Sequence, residues 1–152
     1  MEKMIRGRKK TMMHCILDAS VAVKWFFREE ELTQQADILL NSDISFIVPD
    51  YFFLEMNSVL SKLSRRGLLT VREVQQMIRA LGALPVDVLE SAMYRDLALD
   101  LALEKKIGYY DCLYVIPAQI TQIPLITADV RLYRTFAGTK YGEYVQWLGD
   151  YQ

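Results

Sequence analysis

The 152-residue sequence has few of the residues that build histidine- and cysteine-based sites. It contains one histidine, His14, and two cysteines, Cys15 and Cys112. A single histidine excludes metal sites built from several histidines. The two cysteines stand in apolar segments and have neither the spacing of zinc ligands nor the number needed for a disulfide framework. This cysteine content favours a reducing, cytoplasmic setting.

Long apolar segments and a strong excess of charge are also missing. A membrane-spanning helix needs about 20 consecutive apolar residues, and no segment approaches that length, so we expect no membrane association. The net charge is −1, so nucleic acid binding would have to use a local basic patch. With 52% apolar and 24% charged residues, the composition is that of an ordinary globular domain. We expect residues 12–152 to form one domain and the basic segment 1–11 to lie outside it.

Short apolar segments alternate with amphipathic ones along the chain. Strands are predicted at 14–17, 45–48, 83–89, 124–126 and 144–147, with the last at a sheet edge. Helical spacing separates them, most clearly at 51–66, 70–81, 92–105 and 130–136, and a further helix is predicted to open near Asp111. Strands separated by helices predict an α/β sandwich with a mostly parallel sheet.

Four acidic residues occupy positions that such a sheet brings together. Asp18 and Asp129 follow predicted strands, whereas Glu55 and Asp111 lie near the first turns of predicted helices. Ligands of open parallel sheets bind beyond the carboxyl ends of the strands, so all four side chains are expected to face one cleft. Crowded carboxylates repel one another unless cations neutralise them. Oxygen ligands without nearby histidine or cysteine suit Mg²⁺ or Mn²⁺.

Each of these acids also has a purely structural explanation. Asp and Glu are favoured at helix N-termini, where they cap the helix and interact with its dipole, at about 0.3–1 kcal/mol each. Taken one at a time, the four residues fit this role well. The spacing of the acids therefore leaves both a metal site and a set of helix caps open.

The acidic residues stand in four segments that follow one another along the chain. These are residues 17–21 (LDASV), 55–57 (EMN), 110–114 (YDCLY) and 125–132 (LITADVRL). In this order they resemble the motifs of PIN-domain nucleases, especially VapC-type toxins. The resemblance extends over about residues 14–147, and the third and fourth segments are its most specific parts.

The resemblance implies a three-layer α/β/α sandwich with a mostly parallel central sheet. It further implies Mg²⁺- or Mn²⁺-dependent endoribonuclease activity, a homodimer, and inhibition by a partner antitoxin. The unusually apolar segment 92–105 is our candidate for the dimer interface. The resemblance also assigns active-site residues. Asp18, Glu55 and Asp111 would be metal ligands, and Asp129 a direct or water-mediated ligand. Thr127 and Asn57 would support them.

Two features bear on how well the family pattern applies. Pro117 follows Asp111 by six residues, where the family has an uninterrupted helix, and it predicts that this helix kinks or ends early. Basic residues that could follow an RNA backbone stand on the Glu55 helix, although a solvated basic helix end is an equally good explanation. They are Lys62, Arg65 and Arg66, with Lys24 and Arg28 as further candidates.

Two other classes of protein deserve comparison with a nuclease. One is a PIN-like RNA-binding or scaffold protein with little catalytic activity, which would have no need for four carboxylates in one cleft. The other is a phospho-acceptor receiver domain, which needs paired acids at the first strand and a lysine on the last. Neither feature of a receiver domain is present, so the nuclease remains the better interpretation.

Overall fold

The computed structural model describes residues 13–28 and 30–152. The predicted extension 1–11 and the predicted domain start at residue 12 lie outside them. The strands of the described chain are β1 (Met13–Leu17), β2 (Ile44–Pro49), β3 (Val86–Leu89), β4 (Leu125–Thr127) and β5 (Val145–Trp147). The α-helices are α1 (Ala19–Phe26), α2 (Thr33–Leu40), α3 (Phe52–Arg65), α4 (Val71–Gly82), α5 (Arg95–Lys105), α6 (Tyr109–Thr121) and α7 (Val130–Phe136).

The five strands form one parallel sheet in the order β3-β2-β1-β4-β5. From β1 the chain adds β2 and β3 on one side, and then returns to place β4 on the other side of β1. The strand order therefore reverses between β1 and β4, which are paired through Ile16 with Leu125 and Leu17 with Ile126. In open α/β sheets this reversal marks the crevice where ligands bind.

Helices cover both faces of the sheet. Alternate residues of each strand point to opposite sides, and the apolar side chains on both sides are buried against helices. Leu17 and Ile126 pack with α1 to α4 in one buried cluster. Ile16 and Leu125, their neighbours in sequence, pack with α5, α6 and α7 in a second cluster. The predicted three-layer α/β/α sandwich is confirmed.

Local sequence signals explain where α3 and α4 begin and end. Helix α3 buries one apolar stripe, and it stops just before Gly67, whose φ of +73° favours glycine. Helix α4 opens with a capping box, in which the Thr70 hydroxyl accepts from the Glu73 amide and the Glu73 carboxylate accepts from the Thr70 amide. These signals place the two helices close to their predicted bounds.

Of the two outcomes predicted for the helix after Asp111, a kink or an early end at Pro117, the early end is wrong. Helix α6 continues through Pro117 to Thr121. A proline inside a helix costs about 3 kcal/mol, because a hydrogen bond is lost and its ring clashes with the preceding turn. Residues 112–118 are all buried, and burying several large apolar side chains at about 1.5–3 kcal/mol each offsets that cost. None of the described helices is both long enough and apolar enough to cross a membrane.

Candidate active site

The four acidic residues lie on elements that meet at the carboxyl edge of the sheet. Asp18 directly follows β1 and caps α1, and Asp129 follows β4 and caps α7. Glu55 lies in the first turn of α3 and Asp111 in the first turn of α6, where the helix dipoles favour negative charge. Asp18 and Asp129 are therefore helix caps, whereas Glu55 and Asp111 lie in first turns without capping them.

Asp18 is held by two hydroxyl groups in the interior. Its Oδ2 accepts a 2.6 Å hydrogen bond from Thr127 Oγ1 and a 2.8 Å bond from Ser20 Oγ. Asp18 is 7% exposed and Thr127 is fully buried. Burial raises the pKa of Asp18, the hydrogen bonds from Thr127 and Ser20 lower it, and the charge of Asp129 adds to the rise. Among residues 13–28 and 30–152, Oδ1 receives only a long, 3.5 Å contact from the Ser20 amide.

Glu55 has a buried carboxylate oxygen, Oε1, that accepts no hydrogen bond from the described residues. Burial raises the pKa of Glu55 to about 7, and the negative charges of Asp18 and Asp111 add to this rise. The buried hydroxyl of Tyr114 lies beside Glu55, outside good hydrogen-bonding geometry, and its interaction with the carboxylate lowers the Glu55 pKa, against the effect of burial. Burial and the charges of Asp18 and Glu55 raise the pKa of Tyr114 as well. A carboxylate in these surroundings lacks a compensating positive charge.

Asp111 and Asp129 are joined by one guanidinium group. Arg131 Nη2 lies 2.8 Å from Asp111 Oδ2 and 3.4 Å from Asp129 Oδ2. Asp129 Oδ1 accepts hydrogen bonds from the amides of Arg131 and Leu132, which caps α7. Gly108 leaves room for Asp111, because a Cβ at residue 108 would lie 3.1 Å from Asp111 Oδ2. The two outer carboxylates are thus partly neutralised, unlike Asp18 and Glu55.

A divalent cation fits the donor chemistry of this site. The unpartnered Glu55 Oε1 and the nearby Asp18 carboxylate are hard oxygen donors of the kind that Mg²⁺ and Mn²⁺ prefer. Across residues 13–28 and 30–152, no three acidic, histidine or cysteine side chains lie close enough together to hold a metal ion as they stand. Closing such a site would require Asp111 or Asp129 to move toward the inner pair.

The supporting residues predicted from the sequence fare differently. Thr127 lies within the site and contacts Asp18 directly. Asn57 is exposed and follows Glu55 by two residues, which corresponds to a rotation of about 200° about the axis of α3. Its side chain therefore lies on the side of the helix away from the carboxylates. Lys24 instead pairs with Glu30 at 3.2 Å, and Arg28 forms two hydrogen bonds with Asp37. Their charges are engaged within the protein.

The exposed basic residues of α3 keep the position that the sequence suggests. Lys62 and Arg66 follow Glu55 by seven and eleven residues, which places them within about 20° of its side of the helix. Arg65 lies about 80° away from that side. Lys62 and Arg66 therefore form a line along α3 that starts about 10 Å from Glu55.

Sequence reasoning did not single out three residues that the structure places in the site. Ser20 binds Asp18 and also accepts a 3.0 Å hydrogen bond from the Ala128 amide, which ties β4 to α1. Arg131 links the two outer carboxylates, and Tyr114 lies beside Glu55. The available signal was a short separation in the sequence. Ser20 and Arg131 follow Asp18 and Asp129 by two residues, and Tyr114 follows Asp111 by three.

The sequence of this site and its framework match a known family. A model of the PIN domain matches residues 15–136, which is most of the chain and includes all four carboxylates. The chain therefore belongs to the PIN domain family, a family of nucleases. No curated protein sequence matches the chain.

Solved structures share the fold at low sequence identity. PAE2754 from Pyrobaculum aerophilum is 19% identical with a TM-score of 0.61, over 91% of this chain and 85% of that one. VapBC2 from Rickettsia felis, bound to a DNA fragment from its promoter, is 13% identical with a TM-score of 0.59, over 89% and 98%. DNA-bound VapBC from Salmonella typhimurium is 12% identical with a TM-score of 0.61, over 90% and 99%. These likenesses concern the fold.

Proposed function

We propose that the protein is a Mg²⁺- or Mn²⁺-dependent endoribonuclease that hydrolyses RNA phosphodiester bonds. The observation that carries the proposal is the buried carboxylate of Asp18 beside the half-buried one of Glu55, at the point where the strand order of a PIN domain reverses. Glu55 Oε1 has no hydrogen-bond partner in the described chain, and a divalent cation would instead coordinate this oxygen. Burying such charge without a function would be costly.

Each residue of the site has a separate task in this proposal. Asp18, Glu55 and Asp111 supply the main metal ligands, and Asp129 contributes directly or through water. Thr127 and Ser20 keep the Asp18 carboxylate in one orientation through their hydrogen bonds to Oδ2. A bound divalent cation would act as a Lewis acid on the scissile phosphodiester and promote ionisation of a water molecule. The line of Lys62 and Arg66 would hold the RNA backbone beside Glu55.

The further proposals concern partners. The fold is shared with the Rickettsia felis and Salmonella typhimurium VapBC structures, and on this basis we infer that the protein is the toxin of a VapBC-type pair with a partner antitoxin. A homodimer through α5 is supported by its exposed leucines, which include Leu99 at 49% and Leu103 at 69% exposure. A cytoplasmic location stays a prediction from the cysteine content.

Cleavage of RNA by the purified protein tests the proposed activity. We expect an RNA panel to be cut in Mg²⁺ or Mn²⁺, cutting to stop with EDTA, and Asp18→Asn and Asp111→Asn to lower the rate by at least about a hundredfold. Asp100→Asn, an exposed acid on α5, is the matched control and should cut at the wild-type rate. Circular dichroism of each variant shows that it is folded.

The outcomes separate the nuclease from the alternative of an RNA-binding or scaffold protein. A folded protein that binds RNA but cuts no member of the panel, in either metal, would support the scaffold. Full activity in folded Asp111→Asn would remove that residue from the site. Cleavage of single-stranded DNA at the rate seen for RNA would overturn the proposed substrate class.

A further inference from the structure

Arg131 occupies the part of the acidic site that faces solvent. Its Nη2 approaches Asp111 Oδ2 at 2.8 Å and Asp129 Oδ2 at 3.4 Å, so one positive charge lies between two negative ones. The Arg131 side chain is 63% exposed, whereas Asp111 and Asp129 are 20% and 34% exposed. Arg131 therefore covers these carboxylates from the outside.

Backbone geometry explains why Arg131 reaches this position. Asp129 caps α7, and its Oδ1 accepts a 2.9 Å hydrogen bond from the Arg131 amide. The same cap fixes the first turn of α7, and from there the Arg131 side chain reaches Asp111 in the first turn of α6. The position of the guanidinium thus depends on the same elements that position the carboxylates.

We propose that Arg131 is an internal counter-cation that competes with the divalent cation for Asp111 and Asp129. This inference rests on the proposed function, since it assumes a cation at the same carboxylates. A guanidinium and a divalent cation on the same carboxylate oxygens repel each other, so binding of one disfavours binding of the other. While Arg131 lies 2.8 Å from Asp111 Oδ2, its positive charge weakens the attraction of that oxygen for a metal.

The energetic balance makes this exchange accessible. Ion pairs that face solvent contribute little to stability, because water screens them and the long side chain loses freedom. Arg131 is exposed enough to turn into solvent without breaking buried packing. The arginine therefore keeps the outer carboxylates together in the absence of metal and lowers the affinity for the cation without preventing its binding.

Binding of Mn²⁺ to the full-length protein tests the inference independently of cleavage. Electron paramagnetic resonance measures free Mn²⁺ in titrations of the wild type, Arg131→Gln and Arg134→Gln. Arg134 is exposed three residues further along α7, so its variant removes the same charge without touching the carboxylate contact. We expect Arg131→Gln to bind Mn²⁺ about five times more tightly, which is typical of weak coupling between two sites, and Arg134→Gln to stay within about twofold of the wild type.

Two further measurements make each outcome decisive. Thermal unfolding in EDTA shows whether Arg131→Gln is folded, and Arg131→Lys replaces it if it is not. Because lysine lacks the planar fork of arginine, Arg131→Lys is expected to have a Mn²⁺ affinity between that of the wild type and that expected for Arg131→Gln. Equal affinities of Arg131→Gln and Arg134→Gln, or weaker binding by Arg131→Gln than by the wild type, would overturn the inference. If Arg131→Gln binds Mn²⁺ more tightly but no RNA is cut, the counter-cation role of Arg131 is supported and the proposed nuclease activity is contradicted. If RNA is cut and the affinities are equal, only the counter-cation fails.

Discussion

Thr127 Oγ1 donates a 2.6 Å hydrogen bond to Asp18 Oδ2, although the two residues are 109 positions apart in the sequence. The bond joins the ends of the adjacent strands β1 and β4, and both partners are buried. Thr127 Oγ1 also accepts a 3.0 Å hydrogen bond from the Asp129 amide. One hydroxyl group therefore sets the orientation of one acidic residue and fixes the backbone of another.

Replacing Thr127 by valine preserves the shape of the side chain and removes this hydroxyl. The buried Asp18 carboxylate and the Asp129 amide would each lose a partner, which costs about 1–3 kcal/mol in the free energy of unfolding. Urea unfolding at neutral pH, followed by circular dichroism, measures the change. Thr121→Val is the control, because the exposed Thr121 hydroxyl donates only to the Pro117 carbonyl and its loss should cost about 0.5 kcal/mol or less. Equal decreases in the free energy of unfolding of both variants would show that the Thr127 hydrogen bond stabilises the protein no more than an ordinary surface hydrogen bond.

Glu55 makes the stability of the metal-free protein depend on pH. Its pKa is about 7 in the folded protein against 4.5 for an ordinary glutamate, so between these values the folded state holds a proton that the unfolded state has released. The free energy of unfolding must then fall as the pH rises from about 4.5 to 7. Glu55→Gln removes this term. In EDTA, the difference in free energy of unfolding between Glu55→Gln and the wild type should change by about 1–2 kcal/mol in favour of the variant as the pH rises from 5 to 8. This value allows for solvent screening of a partly exposed group.

A matched variant distinguishes this effect from a general response to lost charge. Glu104 on α5 is 67% exposed and is not among the charges that raise the pKa of Glu55, so Glu104→Gln removes one negative charge without changing that environment. Its stability relative to the wild type should be nearly constant from pH 5 to pH 8. If Glu55→Gln also keeps a constant difference, the carboxylate of Glu55 titrates near its ordinary pKa and the described burial does not govern it.

The parts of the fold that could be predicted depend on local signals. Helix α7 was predicted at 130–136 and is found at Val130–Phe136, because Asp129 caps it and its apolar residues follow the helical period. Helix α3 was predicted at 51–66 and is found at Phe52–Arg65 for similar reasons. The alternation of strands and helices sufficed for the sandwich and for placing the acids at one edge of the sheet.

The contacts inside the site could not be predicted in the same way. The 2.8 Å contact between Arg131 and Asp111 depends on how α7 packs against the rest of the domain, which no pattern within either motif specifies. The course of α6 beyond Pro117 depends on burial, and burial is decided by the whole fold rather than by the helix. Side-chain partners across the fold therefore required the structure, whereas the positions of the acids did not.

The line of basic residues on α3 predicts a specific effect on RNA binding. Replacing Lys62 and Arg66 by glutamine should weaken binding of single-stranded RNA in EDTA, and should lower the slope of log affinity against log salt by about 0.7 for each lost phosphate contact. Fluorescence anisotropy over a salt series measures both. Arg72→Gln with Arg79→Gln on α4 removes the same charge from another exposed surface and should leave the slope unchanged. Equal slopes for the two double variants would place the RNA elsewhere.

Leu99 and Leu103 on α5 predict the dimer interface, since they lie four residues apart on one side of the helix and are 49% and 69% exposed. Replacing both by glutamine removes two apolar side chains from each protomer, and a two-fold axis counts every loss twice. Counting the burial of only one CH₂ equivalent, about 0.8 kcal/mol, for each of these side chains, dimerisation should weaken by at least about a hundredfold. Sedimentation velocity over a concentration series measures this, with Val71→Gln and Ile78→Gln on α4 as the control, since these residues are also exposed. A wild type that stays monomeric, or a dimer that only the α4 pair dissociates, would show that α5 is not the interface.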